Sequence, residues 1–300
     1  MDLPSSQIFV PASFQELFST WGSLNSSGGS IQGKNSDITL FAGGTGLLMG
    51  QSEKIPKLPK NIISLEKIAE LRKISRTERY IEIGSMVKLN QIINLGKIVP
   101  EVLTRCLEHI ADPQIRSQAT IGGNICDFSG LTDASGPMIA LDAQYELRGS
   151  QSSKWISASR FSAQIPNLQP LELLTRIRVP LEPWNYTWYR KLNIPGSNKS
   201  GGGILFILKN QKDILTDIHV VYSGKVILKD KNSESMLSGK HLPLDRKDAI
   251  AFLDGWKNYL SSLEGDEKAI FPGEPGNSRP DLLKAQILLF LESILRHISD

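Results

Sequence analysis

The stretch FAGGTGLLMG, residues 41–50, constrains the fold more than any other. Four glycines in ten residues follow the apolar run Ile38 to Phe41. A backbone this bare at a strand end either makes a tight turn or lets an anion come close, because missing Cβ atoms remove the steric barrier. Glycine loops of several folds do this, and the surrounding residues discriminate between them.

A dinucleotide fold of the strand–turn–helix type needs a third small residue where its helix packs on the sheet. Gly44-Thr45-Gly46 supplies the first half of that fingerprint, and Glu66 lies at a suitable distance for a ribose contact. Met49 occupies the third small position, however, and Pro56 and Pro59 fall where the crossover helix would run. An interior proline costs about 3 kcal/mol. That reading fails. A nucleotide-phosphate loop fails too, because no G-K-[ST] follows the glycines. What remains is a turn whose successive backbone N–H groups converge on an anion without a basic side chain. A plain tight turn stays open as the alternative.

A second cluster, TIGGN at residues 120–124, has Thr120 and Asn124 as polar neighbours of a glycine pair. Two such loops in one domain suit a diphosphate clamped from both sides. Asp133 lies on the loop beyond, where a carboxylate accepts from a ribose or a ring N–H, or caps a helix beginning near Ser135.

The rest of the pattern is mixed. Gln7 to Val10, Asp37 to Phe41, NIISL and YIEIG read as strands. A helix is expected to open at Pro11–Ala12 and run through Trp21, with Phe14, Leu17 and Phe18 on its apolar face. PEVLTRCLEHI is helical, with Val102, Leu103, Cys106, Leu107 and Ile110 on one face. PMIALDAQYELRG passes from helix to strand and ELLTRIRVP is extended. PLEPWN, with two prolines, reads as a domain boundary. Beyond it, ILFILKN and TDIHVVYSGKVIL suggest an antiparallel hairpin, and Asp245–Leu263 and Pro280–Ile298 read as helices.

A net charge of +3 over 300 residues argues against a nucleic-acid surface. Two cysteines, Cys106 and Cys126, cannot build a disulfide framework, an all-cysteine metal site or an iron–sulfur centre. No basic leader precedes an apolar run, and LLKAQILLFLESIL is too short and too often interrupted for a bilayer span. A cytoplasmic protein, away from membrane and nucleic acid, is the expectation. The four histidines are scattered, so neither a catalytic triad nor a zinc site is expected.

FAGGTGLL, QIRSQATIGGNICDFSGLTDASGPMIALDA and LQPLELLTRIRVP, in this order, resemble the FAD-binding subunit of molybdenum hydroxylases. The medium chains of xanthine dehydrogenase and carbon monoxide dehydrogenase belong to that family. WYRKL and GKVILKDKNSESMLSGKHL carry the likeness into the C-terminal half.

The resemblance implies an α+β protein with the two-subdomain p-cresol methylhydroxylase-type fold. Residues 1–181 would be the FAD-binding domain, with subdomains at about 1–58 and 59–181, and residues 182–300 a C-terminal domain with an antiparallel sheet. It also implies site residues. Leu40, Phe41, Ala42, Gly43, Gly44, Thr45, Gly46 and Leu47 would wrap the diphosphate. Thr120, Ile121, Gly122, Gly123 and Asn124 would oppose them. Ile110 and Leu174 would lie near the cofactor, Asp133 would meet one of its polar groups, and Lys191 would reach toward it.

Departures from the family pattern are Gly46 for a frequent Asp, Gly130 and Gly136 for two prolines, and Pro195 for a frequent basic residue. By resemblance the chain would have no acid–base role of its own. It would carry electrons on FAD from a [2Fe–2S] small subunit to NAD or another acceptor, in a complex with a molybdenum cofactor-binding large subunit. A free-standing FAD oxidoreductase of the same fold and a paralogue that has lost FAD are the alternatives.

Overall fold

The computed structural model describes residues 6–26, 37–48, 58–127, 133–162, 171–194, 200–263 and 280–299. The chain divides into two compact units. One comprises Met1–Leu95, Ala111–Phe128 and Asp142–Pro180; the other comprises Gly96–Ile110, Ser129–Leu141 and Leu181–Asp300.

The first unit holds two sheets. β1 (Gln7–Phe9), β2 (Ile38–Phe41) and β3 (Asn61–Ser64) form a parallel sheet with β3 in the middle. All four residues of β3 are buried, as a central parallel strand requires. The Phe14–Ser26 helix covers this sheet with Leu17, Phe18 and Trp21. Phe14, expected on that apolar face, is only partly buried. Ile38, Ile63, Leu65, Leu71 and Met86 complete the core.

The second sheet is antiparallel. It contains β4 (Ile74–Arg76), β5 (Tyr80–Gly84), β6 (Gln144–Arg148), β7 (Ser153–Ser157) and β8 (Leu173–Pro180), in the order β4-β5-β8-β6-β7. Its register sets Glu82 opposite Arg178 and Glu146 opposite Arg176. The resulting ladder of ion pairs runs across one face, with Arg178 also lying over the Trp155 ring at 4.1 Å. Opposite charges in directly facing positions pin the register.

The second unit is built on β9 (Tyr186–Asn193), β10 (Ser200–Gln211), β11 (Ile214–Ser223) and β12 (Ile227–Leu228), an antiparallel sheet in the order β12-β11-β10-β9. Lys212 and Asp213, both at positive φ, form the two-residue turn between β10 and β11. That geometry matches the twist of the paired strands. Residues 201–208 of β10 are all buried. The Arg246–Ser262 and Pro280–Ser299 helices contribute Phe252, Trp256, Ile287 and Leu291 to the core against this sheet. The Glu101–Glu108 and Ser135–Ala140 helices also pack with it, so two segments from before residue 142 belong to this unit.

The strands and helices inferred from periodicity are present within a few residues of the expected limits. The alternation of strands and helices in the first half argues for an α/β arrangement, but among the described residues only the three short strands β1, β2 and β3 pair in parallel. The molecule is α+β.

Candidate functional site

β2 ends at Phe41, and the chain turns at Gly43 and Gly44 into a single helical turn, Thr45–Leu48. The glycines are dictated by contact and conformation. A Cβ on Gly43 would stand 2.1 Å from the Gln118 carbonyl oxygen. Gly44 has φ +73°, and a Cβ there would meet the Phe41 ring at 2.6 Å. Leu48 N–H closes the turn on Gly44 O at 3.1 Å. Among the described residues, the N–H groups of Gly43, Gly44, Thr45 and Gly46 have no acceptor. Four successive donors at a strand end are an anion-binding concavity.

The second cluster has a different local structure from the loop its composition suggests. Ile121–Ile125 is a helix, with Thr120 as its N-cap accepting from Gly123 N–H at 3.0 Å. Ile121 N–H donates to Val87 O, Gly122 N–H to Ser85 O and Asn124 N–H to Thr120 O. Every N–H from Ile121 to Asn124 therefore has an acceptor within the fold. Gly122 is required by packing, since a Cβ would lie 2.5 Å from Ser85 Cβ.

The two clusters nevertheless meet. Gly43 lies against the Gln118–Ala119 backbone, and a Cβ on Gly123 would stand 3.9 Å from Ala42 Cβ. Leu40, Phe41 and Ala42 lead into the first turn, and Leu47 lies on its helical part.

A lysine outside both glycine motifs stands beside this meeting point. Lys88 donates from Nζ to Gln118 O at 2.8 Å, and its backbone bridges to Thr120. Burial lowers the ammonium's pKa from its ordinary value, and the Glu66 carboxylate opposes that effect. Nothing local marks Lys88. Its partner is 30 residues away, so only the folded chain brings it to the turn.

In the second unit, Asp133 is buried and its carboxylate takes Lys191 Nζ at 2.5 Å. It does not cap the following helix, whose N-cap is Ala134 and has no side-chain bond. The Asp133 main-chain oxygen accepts from Cys106 Sγ at 3.3 Å and Ser223 Oγ at 3.4 Å. Burial, then the Asp133 charge, push the Cys106 thiol up to about 12. Burial also raises the Tyr189 phenol above its ordinary range, reinforced by Cys106 and Asp133. The cluster therefore contains one ion pair and neutral groups around it.

Ile110 is buried just past the Glu101–Glu108 helix. Leu174 is buried in β8, opposite Leu147 in the first unit. Gly136 is a close-packing residue, since a Cβ there would stand 2.6 Å from Ser223 Oγ. Gly130 and Pro195 lie outside the described residues. Among the described residues no group of three or more His, Cys, Asp or Glu is placed to hold a metal, and no helix is long and apolar enough to cross a membrane.

Residues 4–182 match the family model described as the FAD binding domain in molybdopterin dehydrogenase. The chain belongs to this family. Its cofactor is FAD, and it is an oxidoreductase subunit.

The carbon monoxide dehydrogenase medium chain of Hydrogenophaga pseudoflava is 26% identical over 255 residues, covering 83% of this chain and 85% of that relative. The xanthine dehydrogenase FAD-binding subunit of Escherichia coli O157:H7 is 29% identical over 154 residues, covering 50% and 52%. Among solved structures, a carbon monoxide dehydrogenase from Hydrogenophaga pseudoflava lacking the Mo-pyranopterin moiety superposes with a TM-score of 0.76 at 24% identity. The match covers 98% of this chain and 96% of that one, and it establishes the fold of this FAD-binding family.

Proposed function

We propose that this FAD-binding subunit is the electron outlet of a molybdenum hydroxylase complex. The observation that carries the proposal is the row of N–H groups from Gly43 to Gly46 that have no acceptor among the described residues, which fits the cofactor's diphosphate. Leu40 to Leu47 wrap the diphosphate. Thr120 to Asn124 support the turn by close packing, with their own N–H groups already engaged. Ile110, Asp133, Leu174 and Lys191 serve the flavin end; the first three fall within the residues matched by the family model. Residues 1–181 form the FAD-binding domain and residues 182–300 the C-terminal flavoprotein domain; the end of the family match at residue 182 favours that boundary, whereas a subdomain limit near residue 58 would part β3 from β1 and β2.

When bound, FAD supplies the one- and two-electron chemistry, and the protein binds and orients it. The partners are a [2Fe–2S] small subunit that donates electrons and a molybdenum cofactor-binding large subunit that oxidises the substrate. NAD or another acceptor takes the electrons onward, and the complex works in the cytoplasm. The relatives' names as medium chain and FAD-binding subunit favour a heteromeric assembly over a free-standing oxidoreductase.

The test is to purify the chain, identify the flavin released on denaturation, and mix the holoprotein with a reduced [2Fe–2S] partner chain. Loss of the oxidised flavin absorption on mixing, and its return on adding NAD or an artificial acceptor, is the expected result. A folded chain that retains FAD but is never reduced by the partner overturns the electron-outlet role.

A further inference from the structure

One oxygen atom links the glycine turn to a cation. Gln118 O is the atom against which Gly43 is pressed, 2.1 Å from where a Cβ would lie, and it is also the acceptor of Lys88 Nζ at 2.8 Å. The Lys88 backbone is held from two further directions, by its bridge to Thr120 and by its N–H donating to Gln91 Oε1 at 3.0 Å.

An ammonium carries three donors, and the Gln118 bond uses one. The charged groups acting on it are Glu66 and Arg72, and these are already paired with each other at 3.0 Å. Among the described residues Lys88 has no ion pair of its own. A half-buried cation with donors to spare thus shares the Gln118 oxygen with Gly43, the first of four successive residues whose N–H groups have no acceptor among the described residues.

We propose that Lys88 is a cofactor-binding residue, supplying the positive charge that balances the FAD diphosphate at the Gly43–Gly46 turn. The proposal rests on the reading of that turn as the diphosphate site. It also gives the turn a direction. Asp127 Oδ2 lies 3.4 Å from where a Cβ on Gly46 would stand, which puts a carboxylate at the far end. Phosphate oxygens are drawn to the Lys88 end beside Gly43 and repelled from the Asp127 end. A hydroxyl-bearing sugar or ribityl portion suits the carboxylate, which accepts from it.

The test uses the full-length chain stripped of flavin, as wild type, Lys88→Met and Lys88→Arg. Affinity for FAD and for riboflavin is measured at low ionic strength and in about 1 M salt, where the Debye length falls to about 3 Å. A charge-assisted hydrogen bond is the interaction removed, so Lys88→Met should bind FAD roughly tenfold more weakly at low salt. The deficit should shrink at high salt. Riboflavin, which has no phosphate, should bind both proteins alike, and Lys88→Arg should recover most of the FAD affinity.

Equal FAD affinity and equal salt dependence in wild type and Lys88→Met overturn the proposal. So does an equal loss for riboflavin, or a fall in apoprotein melting temperature with the salt dependence unchanged. Either would mean that Lys88 only ties down the Gln118 carbonyl.

Gly44→Val separates the underlying reading. If that variant holds FAD as wild type does, the turn is not the diphosphate site. If it folds and loses FAD while Lys88→Met does not, only the lysine assignment fails. Direct titration with ADP answers the same question without a turn variant: it carries the diphosphate but no flavin, so it should bind Lys88→Met more weakly than wild type.

Discussion

Asp133 and Lys191 face each other at 2.5 Å, with side chains only 10% and 17% exposed. They are 58 residues apart in the chain, and their pairing joins the start of the Ser135–Ala140 helix to β9. Removing one partner leaves the other charge poorly solvated. Asp133→Asn and Lys191→Met should each destabilise the chain by about 2 kcal/mol. The double variant should lose less than the sum of the two. Urea unfolding of the four proteins measures this coupling. Additive losses would mean that the pair contributes no coupling of its own.

Gly44 is held at φ +73° with its α-carbon against the Phe41 ring. Gly44→Ala should cost about 1–2 kcal/mol from backbone strain and displace the ring. It should also weaken FAD binding by re-aiming the N–H groups. Gly22 is the control: it lies inside the Phe14–Ser26 helix, with nothing within 4 Å of the position a Cβ would take. Gly22→Ala should stabilise by about 0.5–1 kcal/mol and leave FAD affinity unchanged. Thermal melts with and without FAD compare the two.

Gly122 is tied to Ser85: its N–H donates to Ser85 O, and a Cβ there would stand 2.5 Å from Ser85 Cβ. Gly122→Ala should therefore destabilise the apoprotein itself, by about 1–3 kcal/mol as overpacking does. Such a loss appears in a melt without flavin. An unchanged apoprotein melt together with lost FAD would instead make Gly122 a direct cofactor contact.

These glycines show what was legible in the sequence. FAGGTGLL marks a strand-end turn because glycines after an apolar run have few other uses, and the structure puts a positive φ and a close backbone contact there. TIGGN has the same composition but opens a helix. Glycine disfavours helix, yet the Thr120 cap and the pull of Ser85 and Val87 on the backbone override that preference. β4 shows no signal because Ile74, Ser75 and Arg76 are all exposed. β9 is masked by a mostly half-exposed pattern. Lys88 and the Asp133–Lys191 pair depend on contacts across 30 and 58 residues, and no local window contains both partners.

Glu234 makes stability depend on pH near neutrality. Its carboxyl accepts from Val220 N–H at 2.8 Å, with Lys229 at 3.9 Å and Asp217 and Asp230 adding negative charge nearby. Burial pushes it up to about 7, above the ordinary value of 4.5. Between those values the folded chain holds a proton that the unfolded chain has released. Stability from this group is therefore full below about pH 4.5 and declines as pH rises through 7. The total change is on the order of 3 kcal/mol. Glu234→Gln keeps an oxygen for Val220 and removes the titration. Its melting temperature should be flat over that window, and it should exceed wild type at pH values above the folded-state value. A wild-type profile that does not fall between these limits, or a variant profile that falls in parallel with it, would place the pH dependence elsewhere.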